Sequence, residues 1–232
     1  SGLFDVTVGP LVNAWGFGFS KKENVNRNLI DSLMQYVGFK MVRLEGNKII
    51  KDRPEIKLDF NAIAQGYTVD VLAAFLESKG IKNYLVEIGG ELKAKGDKVD
   101  MGWKVGIDRP EENDSGERKL GAIIYLIDRA MATSGNYRKF YEEDGQKFSH
   151  IIDPRTGYPA KQNLLSATVV AKDGITADAY ATAFMIMGLE KSKQFLANNK
   201  YLELEVFFIY DENGNWNTYA SQSLKDLIEK VN

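Results

Sequence analysis

The spacing of apolar and polar residues changes several times along the 232-residue chain, and each change marks an element. In 24–36 (NVNRNLIDSLMQY), Leu29, Ile30, Leu33 and Met34 recur as on one helical face, and Gly38 supplies a stop. Residues 41–45 and 48–51 flank Gly46-Asn47 and predict a β-hairpin. Residues 56–60 read as a short strand, after which Asn61 caps a helix running to about residue 79, with Ile63, Val71, Leu72, Phe75 and Leu76 as its buried face. Residues 84–88 form a β-prone run closed by Gly89-Gly90. From Glu91 to about Ile152 the pattern is short strands and turns. Residues 103–107, 121–127 and 147–152 are the clearest strands, and the charged stretch 111–119 reads as a solvent loop. Further on come a strand over 165–171, helices over 176–187 and 190–199, a hairpin of 206–210 with 215–219, and a closing helix over 223–231. Strands and helices mix without a regular βαβ period, which predicts an α+β fold in a single domain spanning 1–232.

Composition narrows the chemistry. With no cysteine, the chain has no disulfides, thiolate metal sites or cysteine nucleophiles. A net charge of −2 gives no global field to attract nucleic acid or an anionic membrane. No apolar run reaches the roughly 20 residues that span a bilayer. The opening SGLFDVTVGPLV lacks a basic start and reads as the interior of a folded domain, so an N-terminal portion carrying any targeting signal is expected to precede it.

Four segments carry candidate chemistry. In TADAYAT, Asp178 and Thr182 stand four apart and share a helical face. A carboxylate beside a hydroxyl offers hard oxygen ligands suited to magnesium or calcium. The ordinary alternative places Asp178 in the first helical turn as a partner of the dipole, with Thr182 bonded back to its own helix. SHIIDPRTGYP holds the only histidine, His150, before an Asp-Pro turn. An imidazole there is either a proton carrier or a strand-end residue without a role. ATSGNY presents small residues and Gly135 after a strand, either a phosphate-facing backbone or an ordinary turn. LDFNAIAQGY feeds a helix N-terminus, an anion site by its free N–H groups, with Gly66 permitting close approach. VEIGGE adds a glycine turn where a ligand can come near. Neither a Walker A pattern nor GxGxxG is present.

Taken in order, LFDVTVGPLVNAWGFG, LDFNAIAQGY, VEIGGE, WKVGIDRP, ATSGNY, HIIDPRTGYP and TADAYATAF resemble the blocks of the FAD:protein FMN transferases, the ApbE-type family, along nearly the whole chain. The resemblance implies a T-fold-like α+β architecture, a mixed or antiparallel β core with flanking helices, and magnesium-dependent transfer of FMN from FAD to a threonine or serine of an acceptor flavoprotein, releasing AMP. It assigns magnesium to Asp178, Thr182 and the backbone carbonyl of Ala62. It places FAD against Phe4, Asp5, Asp59, Gln65, Ser134, Gly135, His150 and Ile151, with His150 as the proton carrier and Asp178 as the second catalytic residue. The implied acceptors are subunits of ion-pumping respiratory complexes, and the implied location is extracytoplasmic. Two positions depart from the pattern: Gln65 stands where relatives often carry lysine or glutamate, and Ile175 where some carry a further aspartate. An amide does not titrate, so Gln65 does no acid–base work. Hydrolysis of FAD to FMN and AMP, or binding of FAD without turnover, are the rival readings.

Overall fold

The computed structural model describes residues 2–18, 20–98, 101–109, 120–136, 140–143, 146–225 and 228–229. In chain order the elements are helices α1 (Gly9–Ala14) and α2 (Arg27–Met34), strands β1 (Val42–Glu45) and β2 (Lys48–Lys51), and helix α3 (Ala64–Ser78). Seven strands follow: β3 (Tyr84–Ile88), β4 (Glu91–Lys95), β5 (Trp103–Asp108), β6 (Leu120–Leu126), β7 (Ala130–Gly135), β8 (Phe140–Glu143) and β9 (Gln146–Ser149). The chain continues with β10 (Leu164–Ala171), α4 (Gly174–Met187), α5 (Leu189–Asn198), β11 (Glu205–Glu212), β12 (Asn215–Ala220), α6 (Gln222–Lys225) and β13 (Ile228–Glu229). Every strand pairing among the described residues is antiparallel, and the class is α+β as expected.

The backbone falls into two compact units. One comprises Ser1–Phe60 and Arg138–Lys161, the other Asn61–Tyr137 and Gln162–Asn232. The chain thus enters each unit twice, an interleaving that element spacing along the sequence does not reveal.

The larger unit is built in layers. Its six-stranded sheet runs β12-β11-β10-β7-β4-β3, and a three-stranded sheet runs β13-β6-β5. Leu92, Ala94, Met131, Val170, Phe207 and Ile209 of the first sheet share one core with Val105, Ile107, Ala122, Ile124 and Leu126 of the second. Side chains on a strand alternate between faces. The residues between those core positions therefore look the other way, toward α3 and α4, which pack on the sheet. Gly89-Gly90 joins β3 to β4 in a two-residue turn with both φ values positive, 64° and 106°, the hairpin geometry that glycine adopts without strain. It brings Glu91 opposite Ile88.

In the smaller unit, Leu11, Trp15 and Ile30 pack with Ile152, and the Trp15 indole N–H donates to the Gly157 carbonyl at 2.8 Å. The Asn26 side chain caps α2 by accepting the Leu29 N–H.

Several expectations are corrected. Residues 56–60 form no strand; the Asp59 N–H donates to the Val6 carbonyl, but no ladder follows. Asn61 does not cap α3, because 61–63 make a turn and the cap position falls on Ile63, without a side-chain bond. The bulky side of α3 faces solvent: Val71, Leu72 and Phe75 are exposed, whereas Gly66, Val69 and Ala73 are buried. Close contact with α4 selects the small residues of the helix for the inside. ATSG lies within β7, paired through Ser134 with Ala167 in an interior strand of the six-stranded sheet, rather than in a turn. The closing helix ends at Lys225, and Ile228–Glu229 pairs with β6 as a strand. The predicted loop at 111–119 lies outside the described residues.

Candidate active site at a helix crossing

α4 is apolar on all sides and buried along most of its length, as an alanine-rich helix between a sheet and a second helix must be. Its start is fixed by two aspartates. Asp173 caps it by accepting the Thr176 N–H at 2.9 Å. Asp70, one turn beyond Gly66 on the inner stripe of α3, accepts the N–H groups of Gly174 and Ile175 at 2.8 and 3.0 Å. Lys93 approaches Asp70 at 4.0 Å and donates to the Lys172 carbonyl, which ties β4 to the same corner.

The helices meet at glycines. A Cβ on Gly66 would lie 2.2 Å from the Gly174 carbonyl oxygen and 2.8 Å from Asp178 Cβ, so only glycine fits. This contact lets the Gly66 N–H, from the first turn of α3, donate to Asp178 Oδ2 at 3.0 Å. Asp178 lies beyond the first turn of α4 and is 5 % exposed, so the dipole-partner alternative does not describe it. Burial raises its pKa, and the Gly66 N–H works against that rise. One turn on, the Thr182 hydroxyl is 3.1 Å from the Ser134 hydroxyl of β7, so Thr182 is not bonded back to its own helix. Gly135 follows Ser134 at the strand end, opposite Ser166. Ala62 sits half-buried in the turn before α3.

Glu91, at the start of β4, belongs to the same corner, although along the sequence its segment reads only as a glycine turn. It is 6 % exposed, and its Oε2 has no hydrogen-bond partner among the described residues. Burial, then repulsion from Asp178, pushes its pKa up to about 7. The exposed Gln65 reaches over the adjoining turn: a Cβ on Gly89 would meet Gln65 Nε2 at 1.8 Å and Glu91 Oε2 at 3.6 Å. The available signal was the alternation of β4, in which Glu91 and Lys93 interleave with the core residues Leu92 and Ala94.

The larger unit holds Ala62, Gln65, Ser134, Gly135, Asp178 and Thr182, and within it Ser134 meets Thr182 while Gly66, next to Gln65, meets Asp178. Phe4, Asp5, Asp59, His150 and Ile151 belong to the smaller unit. There Asp5 is buried and accepts the Thr7 N–H, the Thr7 hydroxyl and the Phe39 N–H at 2.9, 2.6 and 2.8 Å. Half-buried His150 meets the Phe17 ring edge-on, with centroids 6.3 Å apart. Ile151 is buried, with its N–H on Ser149 Oγ and its carbonyl accepting the Ala160 N–H. Phe4 and Asp59 are half-buried.

The ApbE family model matches residues 1–208, across both units. The chain belongs to the ApbE family. An FAD:protein FMN transferase of Vibrio cholerae is 40% identical over 99% of this chain and 68% of its own length. A protein of the same name from Haemophilus influenzae is 37% identical over 98% of this chain and 66% of its own. The solved flavin transferase ApbE from Vibrio cholerae superposes with a TM-score of 0.84 at 40% identity, covering 97% of this chain and 71% of that one. The chain thus spans about two thirds of the length of its curated ApbE relatives, which are named as transferases acting on FAD.

Among the described residues no group of three or more His, Asp or Glu side chains could hold a metal. A hard cation at this ApbE-family corner would rest on few carboxylates, completed by hydroxyl and carbonyl oxygens. The donor set present fits that need. Asp178 is buried, Thr182 and Ser134 offer hydroxyls, and Glu91 Oε2 has no hydrogen-bond partner among the described residues.

Proposed function

We propose that this chain transfers FMN from FAD to a threonine or serine hydroxyl of an acceptor flavoprotein in a magnesium-dependent reaction that releases AMP. The observation that carries the reading is the buried Asp178 carboxylate, clamped by the Gly66 N–H at a glycine-only helix crossing, in a family whose curated relatives are named FAD:protein FMN transferase.

Asp178, Thr182 and the Ala62 carbonyl would hold magnesium, which supplies charge neutralisation on pyrophosphate oxygens. The acceptor oxygen bonds to the FMN phosphorus, and the bond from that phosphorus to the bridging oxygen breaks. AMP departs with the bridging oxygen, and the hydroxyl proton passes to a base. His150, the only imidazole in the chain, is proposed for that proton on chemical grounds. The Ser134 hydroxyl, bridged to Thr182, orients that ligand and offers a donor to a phosphate oxygen. Gln65, an amide, exchanges no proton. Acceptors in ion-pumping respiratory complexes, reached outside the cytoplasm, complete the proposal.

The test incubates the chain with FAD, magnesium and an acceptor domain of a respiratory flavoprotein, then reads flavin fluorescence on a denaturing gel. A fluorescent acceptor band that EDTA and Asp178→Ala both abolish is the expected result. Free FMN and AMP without a band would replace transfer by hydrolysis. Intact FAD, with a competent acceptor present, would leave only binding.

A further inference from the structure

Burying a carboxylate without a partner costs several kcal/mol in general, so folded proteins pair such groups, neutralise them or use them. Glu91 is more than nine-tenths buried, and among the described residues its Oε2 is without a hydrogen-bond partner. Its own backbone N–H bonds to the carboxylate, but the surrounding side chains leave Oε2 unpaired among the described residues. Lys93, two residues along on the same face of β4, turns its ammonium to Asp70 and the Lys172 carbonyl. Gln65 lies over the Gly89 turn beside it, but no hydrogen bond joins its amide to the free oxygen. The strongest charge it senses is another anion, Asp178.

Strand alternation fixes its direction. Leu92 and Ala94 enter the core between the two sheets, so Glu91 points into the layer of α3 and α4, where Asp178 takes the Gly66 N–H. Two buried acids of like charge, from elements distant in sequence, converge at a corner whose positive groups are engaged elsewhere. A divalent cation removes the repulsion and supplies the missing partner together.

We propose that Glu91 is a second carboxylate of the cation site, holding the divalent ion directly or through one of its waters, opposite Asp178. The assignment rests on the magnesium reading of Asp178. It adds an anionic donor to the Asp178, Thr182 and Ala62 set, and a ligand from the sheet to one otherwise drawn from α4 and the turn before α3. That extra charge suits a protein whose substrate is a pyrophosphate, because a cation held by two carboxylates stays bound when product phosphates leave.

The experiment titrates Mn2+ as a spin probe into the chain, alone and with FAD, and follows free Mn2+ by electron paramagnetic resonance, with Mg2+ as competitor. Glu91→Gln is expected to weaken Mn2+ binding by about tenfold or more, and Glu91→Asp to recover part of the loss. Asp178→Ala is expected to remove saturable binding. Circular dichroism without metal should show all variants folded. Glu91→Gln binding Mn2+ within about twofold of the parent, while Asp178→Ala fails to bind, would overturn the role of Glu91 and leave the Asp178 reading standing. Unchanged binding in Asp178→Ala would overturn the magnesium reading itself. A parent chain with no saturable Mn2+ binding in either condition would overturn both.

Discussion

The two units treat their buried acids differently. In the smaller unit, Asp5 accepts hydrogen bonds from Thr7 N–H, Thr7 hydroxyl and Phe39 N–H, and Asp153 accepts the Arg155 backbone N–H and two bonds of its guanidinium. In the larger unit, Asp178 takes the Gly66 N–H, while Glu91 Oε2 takes nothing among the described residues. All four residues are about nine-tenths buried or more, so burial does not separate them; satisfaction does. A carboxylate whose lone pairs are filled by nearby donors organises a loop. One left short of donors waits for something that is not part of the chain.

The sharpest way to break this contrast is to remove a satisfied acid. Asp5→Ala leaves the N–H groups of Thr7 and Phe39 without their acceptor, that of Thr7 in a buried setting. It should lower the stability of the smaller unit by about 3 kcal/mol or more in urea titrations. A loss below about 1 kcal/mol would mean that water replaces the carboxylate freely and that Asp5 is no more structural than Asp178.

Next comes the pH dependence of the unsatisfied pair. Glu91 has its pKa raised from 4.5 to about 7, and Asp178 moves in the same direction. Between those pH values the folded chain holds a proton that the unfolded chain has released. The unfolded state therefore binds fewer protons, and stability falls as pH rises from about 4.5 to 7, then levels off. At about 1.4 kcal/mol per unit, the loss from Glu91 is about 3 kcal/mol at most. Chemical denaturation of metal-free protein across this range should show the decline, and Glu91→Gln should flatten it. A metal-free parent that gains stability toward pH 7 would contradict the raised pKa.

A smaller effect is expected at the clamp that holds the unsatisfied pair in place. Asp70→Ala frees the N–H groups of Gly174 and Ile175 at the start of α4 and should cost about 1–2 kcal/mol. Because α4 carries Asp178, the same change should lower FMN transfer more than it lowers stability, and Asp70→Asn, which keeps an acceptor oxygen, should restore part of both.

How much of this contrast the sequence reveals depends on how local each feature is. The α4 helix and the Asp178–Thr182 pair are legible because an i, i+4 spacing lies within one element. The Asp5 and Asp153 loops are short-range too, yet their turn chemistry does not say that the acids are buried. Glu91 is hidden because its meaning depends on α4, which the chain reaches only after β5–β10. The inner face of α3 is misread because bulk suggests burial for Val71, Leu72 and Phe75, whereas the crossing with Gly174 admits only Gly66 and its small neighbours. β7 is misread because Ala-Thr-Ser-Gly has low strand propensity, and small residues there serve the close packing of α4.

The smallest effect is expected at the partner of a satisfied acid. Arg155 forks onto Asp153 through Nε and Nη2 at 2.9 and 2.7 Å, a geometry that invites a large energetic value. The arginine side chain is nevertheless 45% exposed, while Asp153 is largely enclosed. Water competes for an exposed guanidinium, and Asp153 keeps the Arg155 backbone N–H whichever side chain stands there. Arg155→Ala should therefore cost below about 1 kcal/mol in urea titrations, and Arg155→Lys less still. A loss of several kcal/mol would show that the Asp153 carboxylate depends on the guanidinium for its charge balance. The smaller unit would then hold an acid that is satisfied only in hydrogen-bond count, and the line drawn between the two units would move from donor number to charge.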